Sequence, residues 1–263
     1  MAERVRFEKP PVVEVVCGVL FGTLIGLRTA HVGVYWNRIR QEFPIVDEAP
    51  PLSAIIETVD PVPSIEIEVG MVPPLARSWF HRADRRGLIQ LQRDRFVYNW
   101  KRSSPTDGAY PSYDQVIIEF ERQWEQFRDF VAGEQLGDLV PRQLELAYVN
   151  IIPDTSVPAG DPVFKDHARN DSPGRFLPPA ESLTWRTSYP FPDNAGRLHV
   201  VISSARQADT GDPIKRLDMV ARGINEISAT KMRAWFDLAH DWIVRGFVDV
   251  TTSSMQAEWR RQS

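Results

Sequence analysis

Residues 88–101, LIQLQRDRFVYNWK, alternate apolar and polar side chains through two runs around a charged turn, and this alternation constrains the fold more than any other feature. A period of two belongs to β-strands, whose successive side chains point to opposite faces. Gln90 and Gln92 share one face of the first run. In the second, Phe96, Tyr98 and Trp100 take one face and Val97, Asn99 and Lys101 the other. A sheet with amides and a lysine opposite an apolar face must leave that polar face wet or pair its groups with one another.

The neighbouring segments extend this pattern. Residues 11 to 22 are apolar on both faces, with Val13, Val15, Cys17, Val19 and Phe21 on one and Val16 and Leu20 on the other, which predicts a central strand. From His31 to Phe43 the residues Val32, Tyr35, Ile39 and Phe43 recur at helical spacing, and Pro44 ends the helix. Seven prolines between 44 and 74 predict a meandering connection with one strand, at Ser64 to Val69. Strands over Arg77 to Arg82, Leu88 to Gln92 and Phe96 to Lys101 form a meander. Ser112, with Gln115 three residues on, then opens a long helix whose stripe is Val116, Ile117, Phe120, Trp124, Phe127 and Val131. Leu144 to Asn150 alternates as a strand, and residues 153 to 181 read as a proline-rich loop, a candidate lid or interface. Leu183 to Tyr189, Leu198 to Ser204 and Ile214 to Ala221 make a second meander, and a helix over about 230–248 carries Met232, Trp235, Phe236, Ala239, Ile243 and Phe247 on one stripe. The expected class is α+β: antiparallel meander sheets with long amphipathic helices packed on one face. The expected organisation is an N-terminal α+β half, 1–140, and a C-terminal α+β half, 141–263, in one compact unit, and no residue-level repeat aligns them.

Composition narrows the function classes. With 31 Lys and Arg against 35 Asp and Glu, the net charge of -4 supplies no bulk attraction to phosphate backbones or anionic membranes. No run approaches the roughly 20 apolar residues of a membrane span, and the first apolar stretch lacks a cleavable leader pattern, so the cytoplasm is expected. Cys17, the one cysteine, lies in an apolar run and reads as a buried structural thiol.

No phosphate-binding loop, nucleophile elbow or dinucleotide fingerprint occurs, so no catalytic residue and no cofactor is assigned. The five histidines lack metal-ligand spacing, and no metal is expected. His240, beside Asp241 and three residues after Asp237, and His199, on a strand face with Ser203, are the histidines to weigh for hydrolase or transferase chemistry, against the plainer reading of each as a core-edge or cross-strand polar group. His167 has Asp161, Asp166 and Asp171 nearby, a set better read as a solvated acidic loop. The candidate binding set is Gln90, Gln92, Tyr98, Asn99, Trp100, Lys101, Glu145 and Asn150, weighed against the wet face of an ordinary one-sided sheet. A basic patch of Arg82, Arg85, Arg86, Arg93 and Arg95, with Lys101 and Arg102, gathers on the first meander. It suits an acidic protein, and nucleic acid ranks below that. Of the eight tryptophans, Trp259, in a polar tail with Arg260 and Arg261, is the candidate exposed anchor.

The segments PPVVEVVCGVLF, LIQLQRDRFVYNWK, YPSY and LELAYVN, together with the closing helix bearing His240 and Phe247, resemble an uncharacterised bacterial protein family of this length with a sporadic distribution among genomes. The resemblance spans essentially the whole chain and implies no activity. Sporadic distribution gives weight to mobile-element, defence or toxin-neutralising roles, an association and not a physical argument. The first expectation is therefore a non-enzymatic interaction module whose partner is a protein, such as a neighbouring gene's product. The alternatives are a small-ligand pocket between sheet and helix, as in helix-grip folds and lined by Tyr98, Asn99 and Trp100, and the histidine-dependent enzyme.

Overall fold

The computed structural model describes residues 5–60, 64–66, 75–102, 110–153, 184–207, 209–224 and 231–262, with 64–66 described by backbone alone. In chain order these form β1 (Val12–Phe21), α1 (Thr29–Ile39), β2 (Ile45–Ala49), β3 (Ala54–Ile56), β4 (Ser64–Glu66), β5 (Arg77–His81), β6 (Gly87–Gln92), β7 (Arg95–Lys101) and α2 (Tyr113–Gly133). The second stretch adds β8 (Pro141–Pro153), β9 (Thr184–Pro190), β10 (Gly196–Arg206), β11 (Pro213–Gly223), α3 (Met232–Val250) and α4 (Ser253–Glu258). The fold is α+β, built on one nine-stranded antiparallel sheet in the order β2-β5-β6-β7-β1-β8-β11-β10-β9. β3 and β4 pair separately.

Strand order reads the same way outward from the β1–β8 pair: β7, β6, β5 on one side and β11, β10, β9 on the other. Register fixes the faces. Cys17 lies opposite Tyr98 and Leu146, so Phe96, Tyr98 and Trp100 share a face with Val15, Cys17 and Val19 and with Leu144, Leu146 and Tyr148. Met219 opposite Tyr148, and Val200 opposite Met219, carry that face across β11 and β10. The helices cover it. Phe127 of α2 stacks on Phe96 at 5.1 Å and meets Tyr35 of α1 edge-on at 5.6 Å, while Phe236 of α3 meets Phe120 of α2 at 5.1 Å.

The sequence reading departs from the structure in three places. The connection after Pro44 holds β2 and β3 as well as β4, because short β-branched runs between prolines can pair at sheet edges. Trp259 is buried rather than exposed. α4 turns it onto Phe247 at 5.1 Å, and Phe7, bridged to Arg261, packs edge-on to it at 6.4 Å. The indole has apolar partners that its polar neighbours in sequence concealed. Asn150 faces the helices with Tyr148, whereas Glu145 faces the other way, so these two do not share a polar surface. The proposed lid over 153 to 181, including His167 and its aspartates, lies outside the described residues apart from Pro153.

Phe127 sits at the centre of the aromatic cluster, fully buried against Phe21, Tyr35, Phe96 and Phe130. Phe127→Ala is expected to cost about 3–5 kcal/mol in urea unfolding. Ile118→Ala, on the exposed side of the same helix, should stay within about 0.5 kcal/mol.

Candidate functional site

On the helix side of the sheet, a cavity of about 450 Å³ opens between the start of α2, the middle of α3, the strands β8 and β11, and the chain before β1. Its walls are largely apolar, with Val12, Met219, Ile243, Val244 and Phe247 among them. Antiparallel contacts between the termini border it: Gln262 donates from its backbone N–H to the Arg6 carbonyl at 2.9 Å and Lys9 to that of Trp259 at 3.2 Å.

Polar groups converge in this cavity. The Tyr148 hydroxyl lies 3.0 Å from Nδ1 of His240 and 3.0 Å from the Tyr110 hydroxyl. The Tyr113 ring stacks on the imidazole of His240 at 3.9 Å and 3°, and its hydroxyl donates to Asp237 at 2.9 Å. Burial pushes the hydroxyls of Tyr110, Tyr113 and Tyr148 well above the ordinary phenol range, so all three remain protonated donors. Asn150 spends one amide hydrogen on the Leu217 carbonyl at 3.2 Å.

The local sequence explains how two tyrosines reach one cavity. Tyr110 and Tyr113 flank Pro111 and Ser112, and Ser112 caps α2 by accepting from the Gln115 N–H at 3.4 Å. Ser112 does so at φ 122 and ψ 156, a region that favours glycine and costs another residue about 1–3 kcal/mol. That bend places Tyr110 beside Tyr148 while Tyr113 begins the helix over His240.

Of the residues singled out in the sequence, Asn150 and His240 line this cavity. Tyr98 and Trp100 line a smaller one of about 290 Å³ with Arg82, Arg86, Gln115 and Glu119, and Trp100 meets Tyr110 edge-on at 5.2 Å. Asn99 does not join them, because strand alternation turns it to the opposite face. Tyr110 and Tyr113 were not singled out for chemistry; their signal was two tyrosines straddling a helix cap.

Gln90, Asn99, Lys101 and Glu145 lie together on the face away from the helices, the open face among the described residues, where Asn99 is nevertheless buried. Gln90 donates to Asn99 at 2.7 Å, Asn99 donates to Glu14 at 2.7 Å, Lys101 stands 3.6 Å from Glu14, and Arg222 donates to Glu145 at 2.8 Å. Between them runs a row of small or apolar positions, Val97, Gly18, Val16, Ala147 and Val220.

Gln92 has a different task. Its amide donates to and accepts from the backbone of Leu52, both at 2.9 Å, and Gln143 does the same for Ile55 and Glu57 at 2.9 and 2.7 Å. These two side chains hold residues 52–57 on the open face as a neighbouring strand would. Glu57, its side chain fully buried, completes the anchor by pairing with Arg197 and by meeting Nε2 of His199 at 2.7 Å, whose Nδ1 lies 2.8 Å from the Ser188 hydroxyl. Serine, imidazole and carboxylate thus stand in line, and Arg197 shares the carboxylate. These contacts fasten residues 52–57 as a strap across the sheet.

The basic patch is largely compensated. Arg82 pairs with Glu42 and Glu119 and Arg85 with Asp47, while the buried Arg93 and Arg95 donate to the carbonyls of Leu27 and Leu52. Among the described residues no cluster of His, Cys, Asp and Glu could hold a metal ion, and no helix is long and apolar enough to cross a membrane. No family model, curated protein or solved structure matches the chain.

Burial works to raise the Glu57 carboxyl, but the hydrogen bond and charge of His199, then those of Arg197, outweigh it and hold the carboxyl below its ordinary value. A depressed folded value means that the stabilisation is complete above the unfolded value of about 4.3 and is lost as pH falls through the lower folded one. Glu57→Gln should cost about 3 kcal/mol near neutral pH by leaving Arg197 buried without its counter-charge. Hydrogen exchange should show residues 52–59 loosened in that variant, and urea midpoints should show the difference from the parent shrinking in acid.

Proposed function

We propose that this protein binds a small, largely apolar ligand in the cavity between α2, α3 and β8. One observation carries the reading: a cavity of about 450 Å³ with mostly apolar walls on which Tyr110, Tyr148, Asn150 and His240 converge. That volume lies within the roughly 300–1,000 Å³ of ligand sites, and a few convergent polar groups in an apolar wall are what orient a bound molecule. The strained backbone at Ser112 supports it, since strain of this kind persists where the surroundings enforce a particular placement of side chains. On this reading the chain is a pair of similar halves, each a meander closed by a long amphipathic helix, and the ligand sits at the seam where the two helices meet the central strands.

Val244→Trp should fill the cavity from α3. Fluorescence titration with naphthalene is expected to show binding to the parent and at least about tenfold weaker binding to the variant, a difference of roughly 1.4 kcal/mol. Native mass spectrometry of the purified parent should in addition reveal retained small molecules. Absence of both signals from the parent would sink the reading.

A second reading, a protein-interaction module, is favoured by the strap. The open face already holds an extended segment by side-chain amides, and next to it lies the apolar row flanked by Gln90, Asn99, Lys101 and Glu145. A protein partner, such as a toxin or another neighbouring gene's product, would bind there. Lys101→Glu with Glu145→Lys should then weaken capture of that partner from the native host at least tenfold while leaving naphthalene binding intact. Equal capture by parent and variant would count against this surface.

A further inference from the structure

The direction of the hydrogen-bond chain in the cavity depends on the protonation of His240, and it decides what a ligand meets there. Tyr110, Tyr148 and His240 form two links, 3.0 Å each, and each hydroxyl has a single proton to give. If Nδ1 of His240 is an acceptor, Tyr148 must donate to it and Tyr110 must donate to Tyr148, so Tyr110 meets the cavity only as an acceptor. If Nδ1 carries a proton, it donates to Tyr148, whose hydroxyl can accept twice, so one phenol proton is left for the cavity: that of Tyr110 when Tyr148 donates to it, that of Tyr148 when Tyr110 is the donor. Protonated imidazole allows only the second arrangement.

The charged groups nearest the ring among the described residues are mostly paired with one another. On α3, Asp237 accepts from Arg233 and Tyr113, and Asp241 is paired with Arg245. On α2, Asp114 stands 4.0 Å from Arg233; on β8 the neighbour is the neutral hydroxyl of Tyr148. In the segment before β1, Glu8 is paired with Arg260, whereas Arg6 lines the cavity without an ion pair to a described carboxylate. An anion in the cavity would therefore meet a phenol proton, an imidazolium behind it and the Arg6 guanidinium, while the two carboxylates on the same lining, Glu8 and Asp114, each face a guanidinium of their own, Arg260 and Arg233.

Resting on the cavity reading above, we propose that the ligand is a carboxylic acid with an apolar body, whose carboxylate accepts from Tyr110 while protonated His240 drives the chain from behind. Binding then takes up a proton, and affinity falls as pH rises through the histidine range.

The test uses the full chain and three fluorescent probes of one shape, naphthalene, 2-naphthoate and 2-naphthylmethylammonium, titrated at about pH 5.5 and about pH 8, either side of the ordinary histidine value of roughly 6.5. Expected is 2-naphthoate binding about tenfold tighter than the ammonium probe, with a further gain of up to about tenfold at the lower pH and no such gain for naphthalene. Tyr148→Phe cuts the chain and should remove most of that gain. Tyr110→Phe, at the cavity end and less buried, should do the same should the first variant fold poorly. If naphthalene binds but 2-naphthoate shows neither preference nor pH dependence, or the ammonium probe is preferred, this inference is overturned and the cavity reading stands. If none of the three binds, both fall.

Discussion

Cys17 on β1 faces Tyr98 of β7 on one side and Leu146 of β8 on the other, and the rest of the structure depends on that register. Side chains alternate with a period of two, so a slip of one residue in either pairing would turn Tyr148 and Asn150 to the open face and bring Glu145 under the helices. Burial makes such a slip prohibitive. Val15, Cys17, Val19, Leu144 and Leu146 are all fully buried, and exchanging them for Glu14, Gly18 and Glu145 would remove their apolar area from the core and put two carboxylates in its place. The central pair therefore fixes which residues can form a cavity and which an open face.

The cavity follows from how the helices settle on that pair. α2 and α3 meet through Phe120 and Phe236, but towards the start of α2 the contact between them becomes the flat stack of Tyr113 on His240. Beyond it, Tyr148 and Asn150 of β8 line the cavity, and the space runs on to the paired termini. A half-buried histidine and phenol, two buried phenols and a buried amide in one place are costly unless hydrogen-bonded, and the Tyr110–Tyr148–His240 chain, with Tyr113 on Asp237 and Asn150 on Leu217, supplies those bonds. A polar network of this kind in an otherwise apolar wall is the arrangement a ligand-orienting site requires and a close-packed core does not.

Much of this architecture was legible in the chain. Alternation through residues 96–101 placed Phe96, Tyr98 and Trp100 on the core face and Asn99 and Lys101 opposite, and the helical stripes of α2 and α3 consist of the residues that are buried. Parity also separates Glu145 from Asn150, five positions apart on one strand, so their opposite faces were readable as well. What periodicity does not encode is which strand lies beside which. Glu57 meets His199 across 142 positions of sequence, and nothing local marks a glutamate in a proline-rich connection as a buried anchor. Nor does any spacing bring Tyr110 to Tyr148. Trp259 misled for the opposite reason: its sequence neighbours are charged, and its apolar partners Phe7 and Phe247 come from the far end of the chain and from another helix.

β8 belongs to both candidate sites. Tyr148 and Asn150 face the cavity, while Glu145, Ala147 and Val149 face the open side, and the two sets alternate along one backbone. Energetic coupling between the faces would need β8 to have two arrangements, each preferred by one of the ligands. Its position argues against that. β8 is hydrogen-bonded along most of its length to β1 and β11, at the centre of a nine-stranded sheet, and shifting it would break both ladders at once. A central strand of this kind acts as a wall. Occupancy of the cavity and of the open face should then be independent, and for that reason substitutions confined to one face can test one function without disturbing the other.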